Sequence, residues 1–111
     1  MNTNEIGESA DQINQSNGWE SFYPWNFPAD GVGNQSTNKL CTHMALVHTE
    51  VAEATEAIRN KDHANFREEM ADVVIRVASI CYGLGIDLDT EIAAKLEKNK
   101  GRGLRHGGKT V

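Results

Sequence analysis

Apolar residues recur every three or four positions through most of this chain, which is the periodicity of amphipathic helices. The first such stretch, residues 3–16, is weak, with only Ile6, Ala10 and Ile13 on one stripe before Asn17-Gly18 ends it. The second runs from a cap at Ser36 or Thr37 to about Asn60, striped by Leu40, Met44, Val47, Val51, Ala54 and Ile58. A short turn at Lys61-Asp62 leads to a third stretch, from about His63 to Tyr82. Its stripe is Phe66, Met70, Val73, Val77, Ile80 and Leu84, closed by Gly83 and Gly85. A fourth, LDTEIAAKLEKNK, starts near Asp89 or Thr90 and is broken by Gly101 and Gly103. No β alternation is present. The pattern predicts an all-α fold, an antiparallel four-helix bundle-like arrangement, in one domain over residues 1–111.

Two segments lie outside the periodic pattern. Residues 19–36 hold both prolines and five of the seven aromatics: Trp19, Phe22, Tyr23, Trp25 and Phe27. So many rings rarely stay in water, so an ordered loop is expected, packed on the bundle or at a subunit contact. Residues 99–111 form a basic tail. The net charge of −5 hides this asymmetry: residues 1–94 carry 5 Lys/Arg against 15 Asp/Glu, and residues 95–111 carry 6 against 1. An acidic body excludes a broad duplex-binding face, so no nucleic acid polymer is expected as partner. No apolar run is long enough to span a membrane, and the polar start MNTNEIGESADQ is not a secretory signal. Cys41 and Cys81 fall inside helical stretches without metal-spaced neighbours and read as reduced core thiols of a cytoplasmic protein.

The acids are less evenly spread. Residues 48–59 read HTEVAEATEAIR, placing Glu50, Glu53 and Glu56 three apart, where like charges on a helix repel. Glu69 and Asp72 repeat the spacing on the next helix. On a helical wheel Glu50 lies about 70° and Glu53 about 130° to one side of its stripe, and Glu69 and Asp72 fall at nearly the same offsets from theirs. A tight turn makes the two helices antiparallel neighbours, so equal offsets put both pairs on one side of the shared seam. The third helix is apolar nearly all round, including Ala71, Val74, Ile75 and Ala78, which predicts burial. Carboxylates there need a counter-charge, a proton or a metal. The bland alternative is a solvated acidic face with Arg59 and Arg76 as ordinary partners. All-oxygen clusters suit Mg²⁺ or Mn²⁺, and the absence of ExxH pairs argues against a di-iron bundle.

These residues resemble a known family. ExxE at Glu50 and Glu53, then ExxD at Glu69 and Asp72 after fifteen intervening residues, is similar to the MazG-like all-α nucleoside triphosphate pyrophosphohydrolases. The resemblance runs from about Asn17 to Lys109. It takes in NGW at residues 17–19, the GIDL after the third helix, and the tail KLEKNKGRGLRHGGK. It departs at Thr49, where many members carry Glu, and at Gly103, where Pro is frequent. It implies Mg²⁺-dependent cleavage of a nucleoside triphosphate between its α- and β-phosphates, giving monophosphate and pyrophosphate, as house-cleaning of the nucleotide pool. By matching position, Glu50, Glu53, Glu69 and Asp72 would hold the metal, and Lys95, Asn99 and Arg102 would reach phosphates or sugar, with His106 and Lys109 in the HGGK match.

Residue chemistry is compatible with that expectation. Mg²⁺ would neutralise a triphosphate and lower the pKa of a bound water, and Glu53 would accept its proton. Trp19 or Trp25 would stack on the base, a contact that tolerates any base. Phosphoribosyl-ATP pyrophosphohydrolase and a non-enzymatic helical interaction module are the alternatives. A homodimer or homotetramer is expected, because the weak first helix cannot cover the apolar flank of the third.

Overall fold

The computed structural model describes residues 1–19 and 34–101. Four helices and no strand are found among them: α1 (Thr3–Ser16), α2 (Asn34–Arg59), α3 (His63–Leu84) and α4 (Leu88–Lys100). None is long and apolar enough to cross a membrane.

Local chemistry sets most of the ends. Asn2 opens α1 with a reciprocal capping box, its side chain accepting from the Glu5 N–H while Glu5 accepts from the Asn2 N–H. Asp62 caps α3 by accepting from the Asn65 N–H. Asp87, rather than Asp89 or Thr90, caps α4 by accepting from the Thr90 N–H at 3.2 Å. The start of α2 also differs from expectation. Ser36 and Thr37 lie inside its first turn, a shift within the softness of helix ends. Gly83 stays inside α3 and is buried, and Gly85 ends the helix in the left-handed conformation at φ 74°. Lys61, at φ 56°, turns the chain between α2 and α3.

Helix α3 is the centre. Its two principal neighbours are α2 and α1, while α4 touches α1 only lightly. Along α1 and α3 the order of contact is reversed: Asn4 lies by Tyr82, Gly7 by Ala78, and Ala10 by Ile75 and Arg76, so α1 runs antiparallel to α3.

The sheltered side of α3 keeps the predicted stripe except Met70, whereas α2 keeps only Leu40, Val47 and Ala54 of its own. The sheltered positions of α2 are Leu40, His43, Leu46, Val47, Glu50, Ala54 and Ala57, and those of α3 include Phe66, Glu69, Val73, Arg76, Val77 and Ile80. Both helices are therefore turned so that charged side chains lie on the seam. Met44, Val51 and Ile58 are turned out, with Val51 47% and Ile58 58% exposed. Ala54 and Ala57 explain the rotation, since close helix approach needs small side chains at the contact and these two are buried. The expected burial of α3 on all sides fails for the same chain taken alone. Met70, Val74 and Ile75 are exposed, because only α1 and α2 cover the helix. Cys41 is exposed rather than in the core, being on the uncovered side of α2, and Cys81 is half-buried.

Helix α1 differs from its predicted stripe by one position. Gly7 and Asp11 are the buried residues, and Ile13 is exposed. The glycine decides this. A β-carbon at position 7 would lie 2.5 Å from Tyr82 Cβ and closer still to the Ala78 carbonyl oxygen. Only a residue without a side chain lets α1 lie this close to α3. In an isolated helix Gly→Ala gains about 1 kcal/mol, whereas overpacking costs about 1–3 kcal/mol. Gly7→Ala is therefore expected to lower the unfolding free energy by up to about 2 kcal/mol net, and with it the urea midpoint. A midpoint equal to or above the parent's would show that α1 does not pack this closely.

Candidate active site

Glu50 comes from the middle of α2, and Glu69 and Asp72 from successive turns of α3. One carboxylate oxygen of each lies within 4.8 Å of the others. Glu50 and Glu69 are half-buried and Asp72 is exposed, so the cluster has a sheltered floor and an open rim. Glu53 is exposed at that rim, one turn along α2 from Glu50. It remains close enough for a hydrogen bond to Glu50 and for its charge to act on Glu69.

A cation is already present in the form of a side chain. Arg76 stands one turn beyond Asp72, and its Nε donates to Glu50 Oε2 at 2.8 Å. The Glu50 side chain is 12% exposed and that of Arg76 40%. The Arg76 hydrogen bond holds the Glu50 carboxyl below its ordinary 4.5, against the opposing effect of burial. Glu69 has no such partner. Its Oε1 is shielded from water and without a hydrogen-bond partner. Burial, a hydrogen bond that its protonated form gives to Glu50, and the charges of Glu53, Glu50 and Asp72 push its pKa up from 4.5 to about 7. One arginine thus satisfies one of the acids and leaves another unsatisfied.

This donor set fits a small hard divalent cation. Octahedral Mg²⁺ holds oxygens at about 2.1 Å, hence roughly 3–4 Å from one another, and a 4.8 Å spread closes to that with small side-chain rotations. The Glu69 Oε1 is a shielded acceptor that no hydrogen bond compensates, and a cation there would meet it.

Beside the cluster opens a cleft of about 320 Å³ walled by three helices. Glu50, Asp72 and Arg76 form its polar end, and Ala10, Ile13 and Ile80 belong to its apolar wall. Helix α1, predicted only as a weak packing element, supplies part of this wall. Arg76 was legible as a charge in an apolar run, but nothing in its spacing placed it between the acids and the cleft.

The other predicted contacts are not brought to the acids. Lys95 and Asn99 are exposed on α4, and neither lines the cleft. Trp19 is 70% exposed just past α1, its N–H bonded to the carbonyl of Asn14, a residue of the cleft wall. Arg102, His106 and Lys109 lie outside the described residues, as do Trp25 and most of the aromatic loop.

The described residues thus form helices with a carboxylate cluster on a helix seam beside a three-helix cleft. The family model for the MazG nucleotide pyrophosphohydrolase domain matches residues 37–104, more than half of the chain, and the chain belongs to this family. That match spans α2, α3 and α4 and contains all four clustered or adjacent acids. Neither curated proteins nor solved structures gave a match.

The two shifted carboxyls give opposite pH dependences. Glu69 is raised, so its charged form is penalised in the folded protein. The penalty is absent below about pH 4.5, grows as pH rises, and is complete above about 7. Glu50 is lowered, so it stabilises above 4.5 and that contribution is lost as pH falls below it. Without divalent cations, the melting temperature is expected to decline between pH 5 and 8, with Glu69→Gln flattening the decline. Mg²⁺ should restore stability more at pH 8 than at pH 5.5. An unchanged slope in the Glu69→Gln protein would remove Glu69 from this account.

Proposed function

We propose that this domain hydrolyses a nucleoside triphosphate between its α- and β-phosphates, releasing a nucleoside monophosphate and pyrophosphate, with Glu50, Glu69, Asp72 and Glu53 as the acidic machinery. The observation that carries this reading is the unpartnered, shielded Glu69 oxygen in a three-carboxylate cluster beside a cleft. Membership of a nucleotide pyrophosphohydrolase family supports it.

Glu50, Glu69 and Asp72 would hold Mg²⁺, or Mn²⁺ in its place. A bound Mg²⁺ would neutralise phosphate charge and acidify a coordinated water. Glu53, exposed at the rim, would serve as general base and accept the attacking water's proton. The apolar cleft wall takes the nucleoside, and Trp19, beside Asn14, stacks on the base from its mouth. Lys95 and Asn99 reach the phosphates only if α4 of one chain approaches the cleft of another, and Arg102, His106 and Lys109 continue that basic arm.

The assembly needed for this has a physical motive. Among the described residues the buried hydrophobic side chains are Ala54, Ala57, Ala78 and Ile80, and no large side chain is fully buried. The exposed Met44, Val51 and Ile58 form a line along α2 with a period of seven, and Ile92 and Leu96 are open on α4. A second copy covers such surface in the commonest way, as a two-fold dimer or a tetramer of dimers.

Two measurements test the proposal. Glu53→Gln should lower turnover by at least about 10²-fold at saturating Mg²⁺ with the fold retained. Near-normal pyrophosphate release would take Glu53 out of the chemistry, and no release from any common nucleotide by the parent protein would end the reading altogether. Light scattering should give a multiple of the 12.2 kDa chain mass at micromolar concentration. A fully active species at the single-chain mass would exclude the shared site.

A further inference from the structure

The ion pair between Arg76 and Glu50 poses a conflict that the proposed activity does not resolve. Glu50 is a shielded oxygen donor of the candidate cation site, its side chain 12% exposed, yet its Oε2 is taken by Arg76 Nε at 2.8 Å. A guanidinium and a divalent cation at one carboxylate repel each other, so each weakens the other's hold on Glu50. The guanidinium also faces somewhere useful. Arg76 lines the cleft next to Asp72, its side chain is 40% exposed, and its two Nη groups have no protein partner among the described residues.

We propose that Arg76 is the stand-in counter-ion of the acid cluster and, once a divalent cation displaces it from Glu50, the phosphate-binding arginine of the adjacent cleft. The inference rests on the nucleotide reading above and adds a residue to it. Three features support the exchange. Arg76 springs from the same face of α3 as Glu69 and Asp72, at intervals of seven and four residues, so a change of rotamer suffices to swing its head from the floor of the cluster into the cleft. The guanidinium keeps its charge at any working pH and presents a planar fork that matches phosphate oxygens in pairs. Its charge opposes a nearby cation and favours an anion, so the two ligands act on it in the same direction: the cation frees the arginine, and the phosphate holds it free. By linkage, each ligand then strengthens the other. Arg76 is thereby distinct from the lysines of α4, which no described contact joins to the cluster.

Arg76→Met tests this with two binding readouts that move in opposite directions. Affinity for Mn²⁺ alone, read by electron paramagnetic resonance, should rise by about tenfold or more, since the competitor is gone. Affinity for α,β-imido analogues of the deoxynucleoside triphosphates, read by calorimetry at saturating Mg²⁺, should fall by about tenfold or more, the usual loss for a charge-assisted contact. A merely structural role would weaken both together. Arg76→Lys, which keeps the charge and disturbs the fold less, should show the same two directions at smaller size. It decides the matter if the Met protein does not fold. Unchanged or weaker Mn²⁺ binding, or unchanged analogue binding, in a folded variant overturns the proposal while leaving the hydrolase reading intact. Failure of the parent protein to release pyrophosphate, with both binding shifts present, would instead overturn the hydrolase reading and leave Arg76 in this role.

Discussion

Carboxylates turned into a helix–helix seam govern the rest of this structure. Glu50 and Glu69 occupy positions on the α2–α3 contact that an ordinary hairpin would give to leucine or valine. Such groups cost free energy when shielded from water unless a positive charge or a proton meets them. Arg76 meets one, and a raised pKa keeps a proton available to the other. The site is thus held in a state of incomplete compensation, which is the condition under which a divalent cation gains most from entering.

The same rotation sets the outer surface. Placing Glu50 and Arg76 on the seam moves Met44, Val51 and Ile58 of α2 away from it, together with Met70 and Val74 of α3. What remains inside is largely alanine, and Ala54, Ala57 and Ala78 bring the helices close at little gain in buried apolar area. A small core and a displaced apolar line have one cause.

Helix α1 takes a part beyond packing. Its glycine at position 7 brings it onto α3, and the residues one and two turns later, Ala10, Ile13 and Asn14, then wall the cleft beside the acids. The cleft exists because α1 crosses close to the C-terminal half of α3. This arrangement lies partly outside residues 37–104, the portion that carries the family likeness, so the floor of the site and the wall facing it come from different parts of the sequence.

Four helices, their order and the turn at Lys61-Asp62 were legible in the sequence, because periodicity and capping residues act locally and survive without knowledge of neighbours. The convergence of Glu50 with Glu69 and Asp72 was legible too, since a tight turn forces the two helices antiparallel and matched phase does the rest, but the fourth expected member, Glu53, stays outside that cluster. The exact face each helix presents was not. The wheel put the acids beside the seam, and the structure puts two of them on it, because alanines, not the largest apolar side chains, decide where helices can approach. Sequence reading offered Arg76 only as an ordinary partner of a solvated acidic face, and that it pairs with Glu50, 26 residues away on α2, was not legible. Distances of that kind depend on how two helices are rotated and translated against each other, which is a property of the packed pair and is written in neither helix alone.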